Sequence, residues 1–203
     1  MPTARSSACL DAFRSKTRMT YNFMAEPLSV FLDRVASDAP APGGGACAAV
    51  SVAMAAGLCA MAARFSAATV ADAAEVAARA DVLRNEVAAL AAQDAEAYTQ
   101  VLAAYQLPRE PDAAGRRDRI RQMLSAAAEP PFAVATAAVE IGALARRLAA
   151  EGNPNLRGDA VTSRLLAAAG CRAAVELVGA NLLPDDPRLE RAHELADSWG
   201  EPA

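Results

Sequence analysis

Residues 42–63 read PGGGACAAVSVAMAAGLCAMAA, and from Ala46 to Ala63 this stretch carries no charge at all. Three glycines behind a proline break whatever precedes them, and the alanine-rich run that follows is a helix by propensity. The run is long enough by count to span a bilayer. It is built from Ala, Gly, Ser and Cys with few large apolar side chains, however, and alanine gains little from lipid. A helix buried on all sides in a bundle is the expected structure, with no membrane as partner.

The rest of the chain agrees with that reading. Hydrophobic residues make up 54% of 203 residues while aromatics make up only 4%, a vocabulary of closely packed helices rather than of sheets. The expectation is an all-α, single-domain antiparallel bundle with long Ala-rich helices. It is also a homodimer, because helices with few large side chains leave broad apolar faces that one chain of this size hardly covers. A net charge of -4 argues against nucleic acid, whose partners carry a basic patch. Cys9, Cys47, Cys59 and Cys171 have no Cys-x-x-Cys or Cys/His ligand spacing, so they read as small residues in a reducing, cytoplasmic protein.

Upstream, residues 1–24 hold Arg5, Arg14, Lys16 and Arg18 without a signal-length apolar run. They read as a loose tail or a start-site extension, with Met19 or Met24 as alternative starts and an organelle transit peptide as the competing reading; the helical domain is 25–203. A first helix opens at Glu26-Pro27 and ends near Asp38, with Leu28, Phe31, Leu32 and Val35 on its apolar side.

Downstream, Val70 to Tyr105 reads as one long helix, since Val76, Ala80, Leu83, Val87, Leu90, Ala97, Val101 and Tyr105 keep three-four spacing until Leu107-Pro108. Another helix starts near Arg116 and must kink or restart at Glu129-Pro130-Pro131, continuing to Glu151-Gly152. After the loop 153–158, Asp159 is placed to cap the next helix, which runs to Pro184. A short helix from Pro187 to Trp199 closes the chain.

Few residues stand out as chemistry. Gly43-Gly44-Gly45 leads straight into a buried helix, where backbone N–H groups can meet a ligand that no side chain holds off; a sharp connection between packed helices is the alternative. Asp94 lies seven residues after Val87 and seven before Val101, which puts a carboxylate on the apolar stripe, while Glu96 points away. Such a carboxylate is either paired with an arginine or kept as a proton-transfer group. Asn153 and Asn155 run into Asp159 and offer several hydrogen-bonding groups in a small space, and Asn181 falls near the buried side of its helix. His193 sits among charged residues on a solvated face, and no metal cluster or triad is supported. Arg116, Arg117, Arg119 and Arg121 are a solvated helix start or an attraction for an anionic tail.

Pro42-Gly43-Gly44-Gly45 before an Ala-rich helix ending in Met61, Asp94-Ala95-Glu96-Ala97-Tyr98, Tyr105-Gln106-Leu107-Pro108, Gly152-Asn153 through Asp159, and Asn181-Leu182 occur in an order that resembles one family. It is that of the formimidoyltetrahydrofolate cyclodeaminases and the related methenyltetrahydrofolate cyclohydrolases, and the likeness spans about Leu28 to Leu183. The resemblance implies a homodimeric helical bundle with a tetrahydrofolate derivative as substrate, no prosthetic group and no metal. It implies Asp94 as the catalytic carboxyl, and Asp159 is read beside it as an orienter or partner in catalysis. It also implies Gly43, Gly44, Gly45, Asn153, Asp159 and Asn181 around the substrate, and Pro42, Asn155 and Arg109 are taken with them as substrate-binding candidates. Arg109 stands where a lysine is usual, which keeps the charge and changes the donor geometry. The segment 64–70 lacks the usual lysines. Closure of 5-formimidoyltetrahydrofolate to the methenyl form with release of ammonia is the first expectation, opening of the methenyl form by water the second, and a non-catalytic folate- or partner-binding homologue the third.

Overall fold

A computed structural model of the chain describes residues 21–199. Among them lie seven α-helices and no strand: α1 Leu28–Val35, α2 Gly44–Arg64, α3 Ala73–Tyr105, α4 Ala113–Ala127, α5 Glu129–Glu151, α6 Arg157–Asn181 and α7 Arg188–Asp197. The charge-free run is α2, and it packs against α3, α5 and α6. Contacts along it fix both directions. Gly45, Gly57 and Arg64 meet Asp94, Arg84 and Asp81 of α3, while Gly44, Ala48 and Ala55 meet Leu177, Gly170 and Ser163 of α6. Both neighbours therefore run antiparallel to α2.

Small residues set the spacing. Ala46, Ala49, Ala55, Ala56, Cys59, Ala60 and Ala63 are fully buried, and a Cβ built on Gly170 would come within 2.4 Å of Val52. Gly170→Ala would therefore overpack the α2–α6 contact, a change typically costing about 1–3 kcal/mol. α2 is long and apolar enough to cross a membrane, yet most of its apolar length is buried inside the protein.

Burial on all sides does not hold for α2, however. Met54 is 49% exposed, and Cys47, Val50, Leu58 and Met61 are only half-buried. These residues share one edge of the helix by three-four spacing, on the side that α3, α5 and α6 leave uncovered.

Other boundaries shift for local reasons. α3 starts at Ala73 rather than Val70, because Thr69 and Val70 donate their N–H groups back to Ser66 and close a turn first. α4 starts at Ala113, since Asp112 caps it by accepting from the N–H of Gly115 at 2.8 Å. Pro130 and Pro131 restart the chain as α5, where their missing N–H groups cost nothing in a first turn. α1 runs only from Leu28 to Val35, and of its expected stripe only Phe31 is buried.

A second sequence expectation is also overturned. Asp159 does not cap α6: the helix begins at Arg157 and Asp159 is its third residue. The Asn153 side chain accepts from the N–H of Asn155 and starts the 3-10 turn Pro154–Leu156, which feeds directly into α6 and leaves Asp159 inside its first turn.

Of the segment assigned to a tail, residues 1–20 lie outside the described residues, as does Cys9. Tyr21, Asn22, Phe23 and Met24 are described; Phe23 is buried, stacks on Tyr21 and meets Phe31 edge to face.

Candidate active site

The glycine turn and the out-of-place carboxylate meet. Gly43, Gly44 and Gly45 lie where the chain enters α2, and Asp94 sits on α3 directly opposite. A Cβ built on Gly45 would stand 2.0 Å from Asp94 Oδ1, whereas on Gly44 it would meet only Leu177 at 3.7 Å and on Gly43 nothing. The need for glycine is therefore concentrated at Gly45, because the Asp94 carboxyl occupies the space a side chain would take.

Around this pair the protein forms a cavity of about 280 Å³, lined by the three glycines, Asp94, Tyr98 and Asn181 and by small apolar groups of α4 and α6. Leu177 forms its far wall. A second cavity of about 460 Å³ adjoins it across Ala180 and Asn181. Asn181 is fixed between the two by donating from Nδ2 to the carbonyl oxygen of Ala127 at 3.3 Å.

Burial pushes the Asp94 carboxyl up to about 6, the backbone N–H of Ala46 working against it. Among the described residues no ion pair to Asp94 is found, so the arginine-paired alternative falls away. A carboxyl that titrates near 6 in a half-open cavity can hold or release a proton at neutral pH, which is what general acid–base work requires. Burial also raises the neighbouring Cys47 thiol, with the charge of Asp94 adding to it, so Cys47 is a neutral thiol beside the carboxyl.

Several candidates lie elsewhere. Asn153 takes the N–H side of its peptide to Ser66 Oγ at 2.9 Å and donates from Nδ2 to the Phe65 carbonyl oxygen at 3.1 Å, which ties it to the far end of α2. Asn155 is exposed, and with Asp159 it shares that end, some 30 Å along the helix from Gly44 at 1.5 Å per residue. Arg109 is exposed in the loop after α3, and Pro42 is buried just before the turn; neither lines the cavity. His193 is exposed.

Tyr98 and Leu177 line the cavity without having been singled out as site residues. Tyr98 was legible, for it lies four residues after Asp94 and so on the same helix face. Leu177 was not, because only the antiparallel approach of α6 brings it to Gly44.

The chain's relatives bear on this site. The profile of a family described as formiminotransferase-cyclodeaminase matches residues 27–192. A methenyltetrahydrofolate cyclohydrolase of Methylorubrum extorquens is 36% identical over 181 residues, covering 84% of this chain and 87% of that protein. The crystal structure of formiminotetrahydrofolate cyclodeaminase from Thermotoga maritima matches with a TM-score of 0.76 and 25% identity, over 88% of this chain and 90% of that one.

Proposed function

The chain belongs to the formiminotransferase-cyclodeaminase family, and on that premise we propose that it is a methenyltetrahydrofolate cyclohydrolase with Asp94 as its proton-moving group. Family membership supports an enzyme acting on folate one-carbon units. The 36%-identical relative favours the hydrolytic reaction over the deaminating one.

The observation that carries the reading is a single carboxyl, raised to about 6, in a cavity lined, among the described residues, by no cation. The methenyl group is an amidinium cation, and a carboxylate in a partly dry cavity stabilises it without a competing positive charge. Water then adds to the methenyl carbon while Asp94 accepts one of its protons. The carbon–nitrogen bond to N5 opens, N5 gains a proton, and the one-carbon unit remains on N10 as a formyl group with one proton released. The open backbone at Gly43 and Gly44 lets the reacting carbon approach the helix start closely.

The deaminating reading uses the same atoms and is favoured by the likeness to the Thermotoga maritima enzyme. There the N10 nitrogen attacks the formimidoyl carbon and loses its proton, and the departing ammonia gains one, a transfer that Asp94 would shuttle. Purified protein offered both folates separates the two by the methenyl absorbance. Its loss marks the cyclohydrolase, its appearance from the formimidoyl compound marks the cyclodeaminase, and no change in either contradicts both.

A further inference from the structure

We propose that Arg188, which lines neither cavity, is a positioning residue for the catalytic one: by clamping the start of α7 to the α4–α5 junction it fixes the Ala127 carbonyl, and through it the Asn181 amide that lines both cavities. The proposal rests on the folate reading for its kinetic assay and on geometry for the clamp itself.

Two prolines create the need for it. Pro130 and Pro131 bring no N–H to the helix, so the carbonyl oxygen of Ala127, three and four residues before them, has no helical donor. The Asn181 side chain supplies one from Nδ2. That bond decides which way the amide points. With Nδ2 spent on Ala127, Oδ1 is left as the acceptor, and no donor to it is found among the described residues. Asn181 stands in the wall shared by the Asp94 cavity and the larger one beside it, so this acceptor is held at the edge of the catalytic space. The ring system of a reduced folate carries N–H donors that suit it.

Arg188 holds Ala127 from both sides. Its Nη1 donates to the Ser125 carbonyl oxygen at 3.2 Å and its Nη2 to Ser125 Oγ at 2.7 Å, two residues before Ala127, while Nη1 also pairs with Glu129, two residues after. Its own end is fixed as well: Asp186 accepts from the Arg188 N–H at 3.0 Å, from Nε at 2.9 Å and from Nη2 at 2.7 Å. One guanidinium thus spans the α6–α7 connector, the last turn of α4 and the first turn of α5, directions that a lysine cannot serve at once. α4 packs mainly on α3 and touches α6 only lightly, so little else sets this distance. The charge of Arg188 is taken up by Asp186 and Glu129, which leaves position rather than attraction as its means of acting on a ligand. The same Arg188 bonds hold the Asp186 carboxyl down to about 2, so this side of the clamp stays ionised while Asp94 titrates.

Kinetics on paired variants test it. Arg188→Met should raise KM for the folate that is turned over by about five- to tenfold, roughly the worth of one misplaced hydrogen bond, with kcat within about threefold and the bend near pH 6 unmoved. Asn181→Ala should raise KM to a similar degree. The double variant should be no worse than Asn181→Ala alone, since both changes remove the same contact. Arg188→Lys keeps the charge but cannot span the clamp, so its KM should rise too. A wild-type KM in Arg188→Lys, additive effects in the double variant, or an Arg188→Met that lowers kcat and leaves KM alone overturns the proposal. Independently of turnover, the Asn181 side-chain amide protons should exchange with water faster in Arg188→Met than in the wild type, with the helical circular dichroism unchanged; equal exchange refutes the clamp. If Arg188→Met does not fold, Arg188→Lys carries both measurements. If the wild type turns over neither folate, the functional reading fails, and amide exchange still judges the clamp.

Discussion

The two ends of α2 are built from the same helix and treated in opposite ways. At its C-terminal end polar groups are tied to one another within the protein: Ser66 Oγ donates to the Ala62 carbonyl oxygen at 2.7 Å and accepts from the N–H of Asn153, whose amide bonds the Phe65 carbonyl oxygen. At its N-terminal end there is no side-chain cap, the entrance is bare glycine, and the nearest carboxyl is held by burial well above its ordinary range with no cation beside it. Satisfied polar groups stabilise a fold. A group held away from its preferred charge state, beside open space, is available to a ligand instead.

The largest effect that can test this contrast is Asp94→Asn, which keeps the shape and removes proton exchange. Turnover should fall by about 10²- to 10⁴-fold, the usual worth of general acid–base catalysis. Stability should move the other way at neutral pH. The Asp94 carboxyl is raised to about 6 in the folded protein against an ordinary 3.8, so the folded state binds the proton more tightly. Its contribution is present below about pH 4, declines as pH rises through 6, and leaves the wild type at pH 8 poorer by at most about 3 kcal/mol, at 1.36 kcal/mol per pKa unit. Asp94→Asn should therefore gain in denaturant midpoint relative to wild type as pH goes from 4 to 8. A midpoint that falls at pH 8 would mean that the carboxylate is paired.

Next in size is Gly45→Ala, whose new methyl group would collide with the Asp94 carboxyl. It should cost about 1–3 kcal/mol by overpacking, and turnover of the folded fraction should drop as Asp94 is displaced. Ser66→Ala acts at the opposite end. Leaving the N–H of Asn153 without its acceptor should cost about 1–3 kcal/mol in urea melts, with turnover per folded molecule falling far less than in Asp94→Asn. The smallest change expected is Gly44→Ala, where the added methyl meets only Leu177 at an ordinary distance, so stability should stay within about 0.5 kcal/mol. A collapse of stability in Gly44→Ala but not in Gly45→Ala would reverse the assignment of the two glycines.

Much of this was legible in the sequence, for definite reasons. A charge-free alanine run with a glycine entrance can hardly be anything but an internal helix, and the long periodic stripe of α3 gave its length to within three residues at one end. Asp94 announced itself by interrupting that stripe. What stayed hidden depended on approach in three dimensions. Local spacing shows that a glycine turn exists, but not that Gly45 alone faces the carboxyl, nor that Leu177 reaches Gly44. Asp159 looked like a cap because aspartate caps helices, and sequence does not reveal that Asn153 had already started the chain turning. The exposed edge of α2 was invisible for the same reason: its residues are as apolar as those on the buried side, and only the placement of α3, α5 and α6 tells them apart.

The central claim is that Asp94 moves a proton at the reacting carbon, and the pH dependence of turnover reads it directly. Log kcat/KM for the methenyl substrate, corrected for the uncatalysed reaction, should rise with unit slope at low pH, bend near 6 where Asp94 ionises, and stay level above it. The residual activity of Asp94→Asn should show no such bend. A wild-type profile flat from pH 5 to 8, or a bend near 6 that survives unchanged in Asp94→Asn, would contradict the account.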